Sequence, residues 1–245
     1  MKYMGSKARF SKEILNIILK GREHNQWYVE PFAGGMNTIC EVKNNRIAND
    51  VHTPLIEMWR KLVCRWEPKK ITKNIYMKVK DNQAKYPDYL VGWVGFNCSY
   101  SGKWFGGFAG ETKTKIGTIR DYQDEALRNI KRQITKMQGI MFQNKSYNDL
   151  KLPPNSIVYC DPPYEGVTKY ADKFDHNLFW NWARDVSKQG HTVFVSEYKA
   201  PDDFVCVWEK RAKSSLSANG KSGGSKNSVE KLFRYKREIL FRRFV

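Results

Sequence analysis

Apolar residues recur along the chain at two spacings, and their alternation predicts an alternation of helices and strands. Residues 7–20 predict an amphipathic helix, whose apolar face is formed by Phe10, Ile14, Ile17 and Ile18. Short apolar runs at 27–29 and 47–49 predict buried strands, and another helix is expected between them. Thr53 before Pro54 predicts the start of a further helix, with Thr53 as its N-cap.

The second half of the chain continues this alternation. Helices are predicted over 121–137 and 175–188. Three apolar runs predict strands, at 140–142, 157–160 and 192–195. Residues 229–245 are expected to form paired β-structure at a sheet edge, after a Ser/Gly/Lys/Asn-rich stretch over 212–228 that we interpret as mobile. Strands that alternate with helices predict an α/β fold with a mostly parallel sheet, covered on both faces.

The middle of the chain follows neither spacing well. Residues 67–117 are rich in Lys, Tyr, Trp and Gly and show poor periodicity. A chain of 245 residues can hold one large α/β domain that carries an insertion. We therefore expect a core formed by 1–60 and 140–245, with 61–139 as a mainly helical or loop-like insertion.

Positive charge is concentrated in two blocks. The chain has 43 Lys and Arg against 25 Asp and Glu, a net charge of +18. Residues 61–140 carry 16 basic and 7 acidic residues, and 209–245 carry 11 and 3, whereas 141–208 is slightly acidic. Aromatic residues are interleaved with these cations: Trp93, Tyr100, Trp104, Phe105, Phe233 and Tyr235. This mixture suits phosphate contact and base stacking, and it predicts a polyanionic partner; solvated surface lysines are the alternative.

Several classes of protein are disfavoured by what the sequence lacks. The five cysteines form no CxxC pair, which argues against a disulfide framework or a zinc ribbon and fits a reducing cytoplasm. The four histidines have no metal-ligand spacing, so no metal is expected. No apolar run reaches the ~18 residues of a membrane span, and the N-terminus lacks the apolar region of a signal peptide. We expect a cytoplasmic protein without a membrane or metal partner.

A turn with two glycines follows the first predicted strand. It consists of Glu30, Pro31, Phe32, Ala33, Gly34 and Gly35. Glycines there allow the backbone to approach a ligand closely. Asp50, at the end of the next predicted strand, is placed to accept both ribose hydroxyls of a bound nucleoside. The turn is not GxGxxG and has no lysine after its glycines, so pyrophosphate binding is disfavoured; a simple tight connection is the alternative.

A more specific motif follows the strand predicted at 157–160. It consists of Asp161, Pro162, Pro163 and Tyr164. The prolines fix φ and donate no hydrogen bond, so the chain leaves the sheet rigidly at its carboxyl edge, where ligands bind in open α/β sheets. The Asp161 carboxylate and the Pro162 carbonyl can accept both hydrogens of one amino group, and Tyr164 offers a face for a base. The motif therefore predicts a site for an exocyclic amino group.

These motifs together resemble the D12, or alpha, class of DNA adenine-N6 methyltransferases. The segment 161–164 resembles the family's DPPY motif, and 30–35 resembles its FxGxG motif for S-adenosylmethionine. The segment Tyr3-Met4-Gly5-Ser6-Lys7 resembles its N-terminal Y-x-G-x-K element, with Ser6 in place of a frequent second glycine. The resemblance covers roughly 1–60 and 140–208, with a weaker echo at 229–233.

The resemblance implies a Rossmann-like methyltransferase sheet that uses S-adenosylmethionine and methylates adenine N6 in duplex DNA, with base flipping and direct in-line transfer. The 161–164 segment would be catalytic. Tyr3, Lys7, the 30–35 turn, Asp50 and Tyr147 would bind the cofactor. The insertion 61–139 would be the target-recognition domain, with Asn97, Lys103 and Arg120 as expected DNA contacts. A bacterial or phage origin, a restriction-modification setting and a monomer or weak dimer are further expectations.

Two alternatives remain open from the residues alone. Cytosine N4 is also an exocyclic amino group and would present the same chemistry to Asp161. A catalytically silent nucleic-acid-binding module on the same fold is the other alternative, although Lys7, Asp50, Asp161 and Tyr164 argue against it. Residues 196–198 follow a predicted strand and are expected to line the pocket wall.

Overall fold

The computed structural model describes residues 1–114, 116–165, 174–213 and 227–236. The chain divides into two compact units. Unit 1 comprises residues 1–16 and 28–151, and unit 2 comprises residues 17–27 and 152–245. Helix α1 (Ser11–Ile18) precedes the first strand, and it buries Ile14, Leu15 and Ile18.

Unit 1 is built on three short parallel strands, the first, second and fifth of the chain, and its α-helices after α1 lie between the second and the fifth. Its strands are β1 (Tyr28–Glu30), β2 (Arg46–Asn49), β3 (Glu111–Lys113), β4 (Ile119–Asp121) and β5 (Ile140–Gln143). Its further helices are α2 (Thr53–Val63), α3 (Lys73–Asp81), α4 (Asp88–Gly92) and α5 (Tyr122–Ile134). Strand β2 lies between β1 and β5, with Ile47 opposite both Val29 and Met141. Strands β3 and β4 form a separate antiparallel hairpin, in which Thr112 faces Arg120.

Unit 2 combines parallel and antiparallel strands. It contains β6 (Ile157–Cys160), α6 (His176–Lys188), β7 (Thr192–Glu197), β8 (Phe204–Lys213) and β9 (Asn227–Tyr235). Strands β6 and β7 are parallel, and β9 runs antiparallel to both β7 and β8. The strand order of the seven-stranded sheet is β5-β2-β1-β6-β7-β9-β8. An open, mostly parallel sheet interspersed with helices is Rossmann-like, and it confirms the predicted fold class.

The short parallel strands are covered on both faces, and most of their buried residues are apolar. All four positions of β2 and of β6 are buried, which is typical of parallel strands covered on both sides. In unit 1 the core holds large fully buried side chains, among them Trp59, Trp93, Tyr28 and Tyr76. In unit 2 it holds Tyr159, Phe179 and Val193. Each such side chain stabilises the fold by about 1.5–3 kcal/mol relative to its exposed state.

Most predicted elements are confirmed, but the helix expected between β1 and β2 is wrong. Only a single 3₁₀ turn, Ile39–Glu41, occurs there. Gly34 and Met36 both adopt positive φ angles, of 46° and 56°, and a left-handed backbone cannot continue a right-handed helix. The glycine turn is therefore followed by irregular chain, not by a helix N-terminus.

Two smaller differences concern the start of α2 and the presence of α3. His52, and not Thr53, is the N-cap of α2, because its side chain accepts the Leu55 N–H. Helix α3 was not predicted, because Tyr76 and Val79 are its only buried residues and most of its other side chains are polar. The β-structure predicted from residue 229 is confirmed as far as Tyr235, but its place at the sheet edge is wrong, because β9 pairs on both sides and the edge is formed by β8, a strand that was not predicted. Residues 214–226 and 237–245 lie outside the described residues. In the described part of the chain, no helix is long and apolar enough to cross a membrane.

Candidate active site

Three predicted cofactor positions meet at one edge of the unit 1 sheet. The turn 30–35 follows β1, Asp50 follows β2, and Tyr147 lies in a 3₁₀ turn shortly after β5. Because these three strands are parallel, their carboxyl ends lie at the same edge. This edge is the usual place for a ligand in an open α/β sheet.

Asn49 ties the three strand ends together. Its side chain is fully buried, and its Nδ2 donates to the carbonyl oxygens of Pro31 (2.9 Å) and Lys145 (3.0 Å). Its Oδ1 accepts the Lys145 N–H at 3.0 Å, and its own carbonyl accepts the Ala33 N–H at 2.8 Å. Sequence reasoning missed this residue. Asparagine is depleted in strands, and its place at the end of the buried strand β2 is the signal that could have identified it.

Asp50 holds the glycine turn in place. Its Oδ2 accepts the Gly34 N–H and its Oδ1 accepts the His52 N–H, both at 3.0 Å. Burial raises the pKa of this carboxyl, and the backbone hydrogen bonds oppose that shift. Each carboxylate oxygen has two lone-pair sites, so an oxygen that accepts one N–H can also accept a ribose hydroxyl. The geometry is therefore compatible with the predicted ribose contact.

The N-terminal element packs directly against the glycines. A Cβ atom added at Gly34 would lie 2.8 Å from Tyr3 Cε1, and one added at Gly35 would lie 2.7 Å from Tyr3 Cβ. Only glycine therefore permits this close approach of the Tyr3 ring. Lys7 is also buried, and its Nζ donates to the Gly5 carbonyl at 3.3 Å. The structure thus joins two motifs that are about thirty residues apart in sequence.

The remaining cofactor positions divide into an aromatic pair and buried positions. The half-buried rings of Phe32 and Tyr147 have centroids 5.3 Å apart, with planes inclined at 37°. Glu30 is only 3% exposed, and its carboxylate accepts the Tyr28 hydroxyl at 2.7 Å. Ala33 is likewise buried. The glycine turn 30–35, the Asp50 carboxylate and this aromatic pair supply hydrogen-bonding and packing groups that fit the nucleoside part of S-adenosylmethionine.

In unit 2, the segment 161–164 leaves the sheet directly after β6. Asp161 is half-buried and Pro162 is buried. The Tyr164 hydroxyl donates to Glu230 Oε2 at 3.2 Å, and its ring meets that of Tyr198 edge-on at 4.7 Å. Burial, followed by the charges of Asp161 and Glu230, raises the pKa of the Tyr164 phenol, so this group stays protonated and can donate.

Glu197 ends β7 beside this segment. It is 3% exposed, and its Oε1 accepts the Glu165 N–H at 2.8 Å while its Oε2 accepts the Tyr198 N–H. Burial raises the pKa of the Glu197 carboxyl, and the two backbone hydrogen bonds oppose the shift. The sequence singled out 196–198 only as pocket wall. The contacts of Glu197 and Glu230 were not foreseen, because they depend on strand pairing between distant parts of the chain.

The three expected DNA contacts lie in different surroundings. Asn97 is only 6% exposed, and its amide points at the sulfur atoms of Met1 and Met58. We therefore leave Asn97 out of the proposed DNA contacts. Lys103 is exposed. The Arg120 guanidinium pairs with Glu125 at 2.8 Å and lies 4.6 Å from the centre of the Tyr122 ring.

Two of the six aromatic residues singled out in the basic blocks belong to the interior. Trp93 is fully buried and Phe233 is 7% exposed, so the base-stacking interpretation does not fit either residue. Trp104 packs against Gly95, where an added Cβ would lie 2.3 Å from the indole ring. Tyr100 is 40% exposed. Within the described residues, no group of three or more His, Cys, Asp and Glu side chains could hold a metal ion.

Comparison with known proteins places these motifs in a family. The model of the D12 class of N6 adenine-specific DNA methyltransferases matches residues 3–93 and 93–201. A solved candidate methylase from Haemophilus influenzae shares 14% identity over 95% of this chain and 100% of its own, with a TM-score of 0.36. A solved candidate methyltransferase complexed with SAH shares 9% identity over 95% of this chain and 54% of its own, also with a TM-score of 0.36. This chain therefore spans about half the length of the second protein. Because the family model matches well over half of the sequence, the chain belongs to the D12 class of N6 adenine-specific DNA methyltransferases.

Proposed function

We propose that this protein transfers a methyl group from S-adenosylmethionine to the N6 amino group of adenine in duplex DNA. The observation that carries the proposal is the segment 161–164 at the carboxyl end of β6, where an acidic side chain and a proline carbonyl follow a buried strand. The proposal is supported by membership of the D12 class and by the glycine turn of unit 1, against which Tyr3 packs closely.

Asp161 and the Pro162 carbonyl are the proposed acceptors of the two N6 hydrogens. The N6 lone pair is delocalised into the adenine ring and is a weak nucleophile. Two acceptors on the amino hydrogens would localise that pair and stabilise the positive charge that develops on nitrogen in the transition state. The N–C bond would form as the sulfur–methyl bond of the donor breaks, with that electron pair remaining on sulfur as a neutral thioether. N6 would then lose one proton, and the Asp161 carboxylate is the proposed acceptor. No covalent bond between the enzyme and the base is required.

Tyr164 is the proposed stacking partner of the target base. The amino group of a paired adenine is unreachable inside a duplex, so the nucleotide must leave the stack, at a cost of a few kcal/mol. An aromatic face returns part of that cost through stacking. The Glu230 and Tyr198 contacts restrain the Tyr164 ring before any base arrives.

Unit 1 would hold the cofactor. S-adenosylmethionine, when bound, supplies an electrophilic methyl group on its sulfonium. Asp50 would accept ribose hydroxyls, Phe32 and Tyr147 would contact the adenine, and Tyr3 and Lys7 would lie toward the methionine part. The roles of Asp50, Phe32 and Tyr147 agree with their positions after the carboxyl ends of β2, β1 and β5, and the role of Tyr3 agrees with its packing against Gly34.

The direct test is methyl transfer by the purified chain from tritium-labelled S-adenosylmethionine to duplex DNA, single-stranded DNA and RNA, followed by nucleoside analysis. We expect label in N6-methyl-2′-deoxyadenosine from duplex DNA. Label in N4-methylcytosine would replace the adenine assignment with the cytosine alternative. If S-adenosylmethionine binds but no nucleic acid is labelled, or if it does not bind at all, the proposed activity is wrong.

A further inference from the structure

The segment 161–164 has few backbone groups with which to attach itself to the sheet. Pro162 and Pro163 carry no N–H, so neither can donate a hydrogen bond to a neighbouring strand. The Glu165 N–H follows them in the chain, and it donates to Glu197 Oε1 at 2.8 Å. A side chain at the end of β7 therefore tethers the backbone immediately after the motif.

A second tether reaches the motif from β9. The Tyr164 hydroxyl donates to Glu230 Oε2 at 3.2 Å. Strands β7 and β9 pair with Glu197 opposite Lys231, so Glu230 is one position away from the partner of Glu197. Two glutamates from neighbouring strands thus hold two consecutive residues, Tyr164 and Glu165.

The tether at Glu197 is energetically demanding. A carboxylate that is 3% exposed costs free energy unless hydrogen bonds replace its lost water. Those bonds come from the N–H groups of Glu165 and Tyr198, and within the described ranges no cation pairs with this carboxylate. An apolar residue would fill this strand position at lower cost, so a buried acid beside Asp161 indicates a role in the site and not in the sheet.

From these contacts we infer that Glu197 and Glu230 are positioning residues, which hold the backbone after the proline pair and the Tyr164 ring in the arrangement that receives the target base. The inference rests on the function proposed above. Glu197 acts through the Glu165 N–H, and Glu230 acts through the Tyr164 hydroxyl. Neither touches the substrate, so their loss should affect the bound transition state more than cofactor binding.

The first test compares Glu197→Ala and Glu197→Gln in the full chain. A misplacement of about 1 Å near the chemistry can cost about a hundredfold in rate, so we expect kcat of the alanine variant to fall about tenfold to a hundredfold. The dissociation constant for S-adenosylmethionine, measured by calorimetry, should stay within about twofold, because the proposed cofactor residues belong to unit 1. Glutamine keeps one acceptor oxygen, so its kcat should lie between those of alanine and wild type. Glu209→Gln, at a largely exposed position of β8, is the matched control and should behave as wild type.

The second test isolates the Glu230 tether by a double-mutant cycle. Tyr164→Phe keeps the ring and removes the hydroxyl. If Glu230 acts through that hydroxyl, Glu230→Gln and Tyr164→Phe will each lower kcat, and the combined variant will be little worse than Tyr164→Phe alone. If Glu197→Ala does not fold, the kcat of Glu197→Gln still tests the Glu197 tether, and wild-type kcat in that variant overturns it.

The outcomes separate this inference from the proposed function. A wild-type chain that methylates no DNA contradicts the function itself. A wild-type chain that is active, with Glu197→Ala at full kcat per folded molecule, overturns the role of Glu197. Equal kcat for the alanine and glutamine variants contradicts an acceptor role, and additive effects in the cycle overturn the role of Glu230.

Discussion

The ring of Tyr3 occupies the space that a side chain at Gly34 would need. A Cβ atom at Gly34 would lie 2.8 Å from Tyr3 Cε1, and Gly34 also has a positive φ of 46°. The same carboxylate that is expected to bind the cofactor ribose, Asp50, accepts the Gly34 N–H at 3.0 Å. The N-terminal element, the glycine turn and the acid after β2 are therefore one structural assembly.

Gly34→Ala should disturb this assembly in two ways. The new methyl group displaces the Tyr3 ring, and the left-handed backbone becomes strained by about 1–2 kcal/mol. We expect binding of S-adenosylmethionine to weaken about tenfold, because one lost contact of about 1.4 kcal/mol corresponds to that factor. Calorimetric titration measures this directly.

Gly139→Ala is the matched control. Gly139 also has a positive φ, of 78°, but nothing lies within 4 Å of an added Cβ. The control carries the backbone strain without the clash, so it should lower stability and leave cofactor affinity within about twofold. Equal affinity losses in the two variants would mean that the Tyr3 contact has no part in binding.

Asp161→Ala should nearly abolish methyl transfer and leave cofactor binding within a few-fold. Asp161 is assigned to the base, and the loss of one preorganised acceptor in a transition state costs about 3 kcal/mol, or a factor of about 10² to 10³ in kcat. Single-turnover methylation and calorimetry measure the two quantities separately. Near-wild-type kcat in the variant would remove Asp161 from the mechanism.

Asp50→Ala should show the opposite kinetic profile. The carboxylate holds the Gly34 N–H and is assigned to the ribose, so its loss removes binding that is equal in ground state and transition state. We expect KM for S-adenosylmethionine to rise about tenfold or more, with a smaller loss of kcat at saturation. Asp50→Asn keeps one acceptor oxygen, so its KM should lie between those of the wild type and the alanine variant. An unchanged KM in the alanine variant would exclude Asp50 from the cofactor site.

The sequence predicted the strands of this fold well because their signal is local. The runs at β5, β6 and β7 are short, apolar and bounded by polar residues, so each identifies itself without its neighbours. The carboxyl ends of such strands then locate the site, which is why Asp50 and the 161–164 segment could be named in advance.

The parts that were missed depend on long-range contacts. Tyr164 and Glu230 are 66 residues apart, and their hydrogen bond exists only in the register that β9 adopts against β7. Asn49 acts through carbonyls of residues 31 and 145, which are distant in sequence. Helix α3 buries too few residues to leave a clear periodic pattern. No local pattern contains this information.

His191 should make the stability of the protein depend on pH in mildly acidic solution. The ring is 6% exposed, and its Nδ1 accepts the Ser156 N–H at 3.0 Å. Burial lowers the pKa of His191 below its usual value of about 6.5. Between the folded and unfolded pKa values the unfolded chain binds more protons, so this contribution to stability is fully present above about pH 6.5 and is lost as the pH falls.

His191→Asn removes the titration and keeps an acceptor atom near the Nδ1 position. Urea unfolding of wild type and variant at several pH values from 7.5 to about 5 measures the difference in their free energies of unfolding. We expect the wild type to lose stability relative to the variant as the pH falls. A difference that does not change with pH would contradict the burial of a neutral imidazole at this position.

Salt dependence tests whether the basic blocks bind the DNA backbone. Blocks of net charge +9 and +8 set an upper limit, and about four to eight phosphate contacts give a slope of about 0.9 per contact. Affinity for duplex DNA should therefore fall about a hundredfold or more between 50 and 200 mM salt. If affinity barely responds to salt, the lysines and arginines are solvated surface charge.

Lys103→Ala and Arg120→Ala then distinguish positioning from sequence readout. Loss of a phosphate contact weakens binding to target and scrambled duplexes alike and lowers the salt slope by about one, whereas loss of a base contact relaxes specificity at one position. Arg120 is already paired with Glu125, so it must exchange that partner for DNA, and exposed Lys103 carries no such ion pair among the described residues. We therefore expect the larger loss of affinity from Lys103→Ala. Glu125→Gln removes the ion-pair partner of Arg120 and should strengthen binding to both duplexes. If neither Glu125→Gln nor Arg120→Ala changes the affinity, Arg120 lies outside the DNA interface.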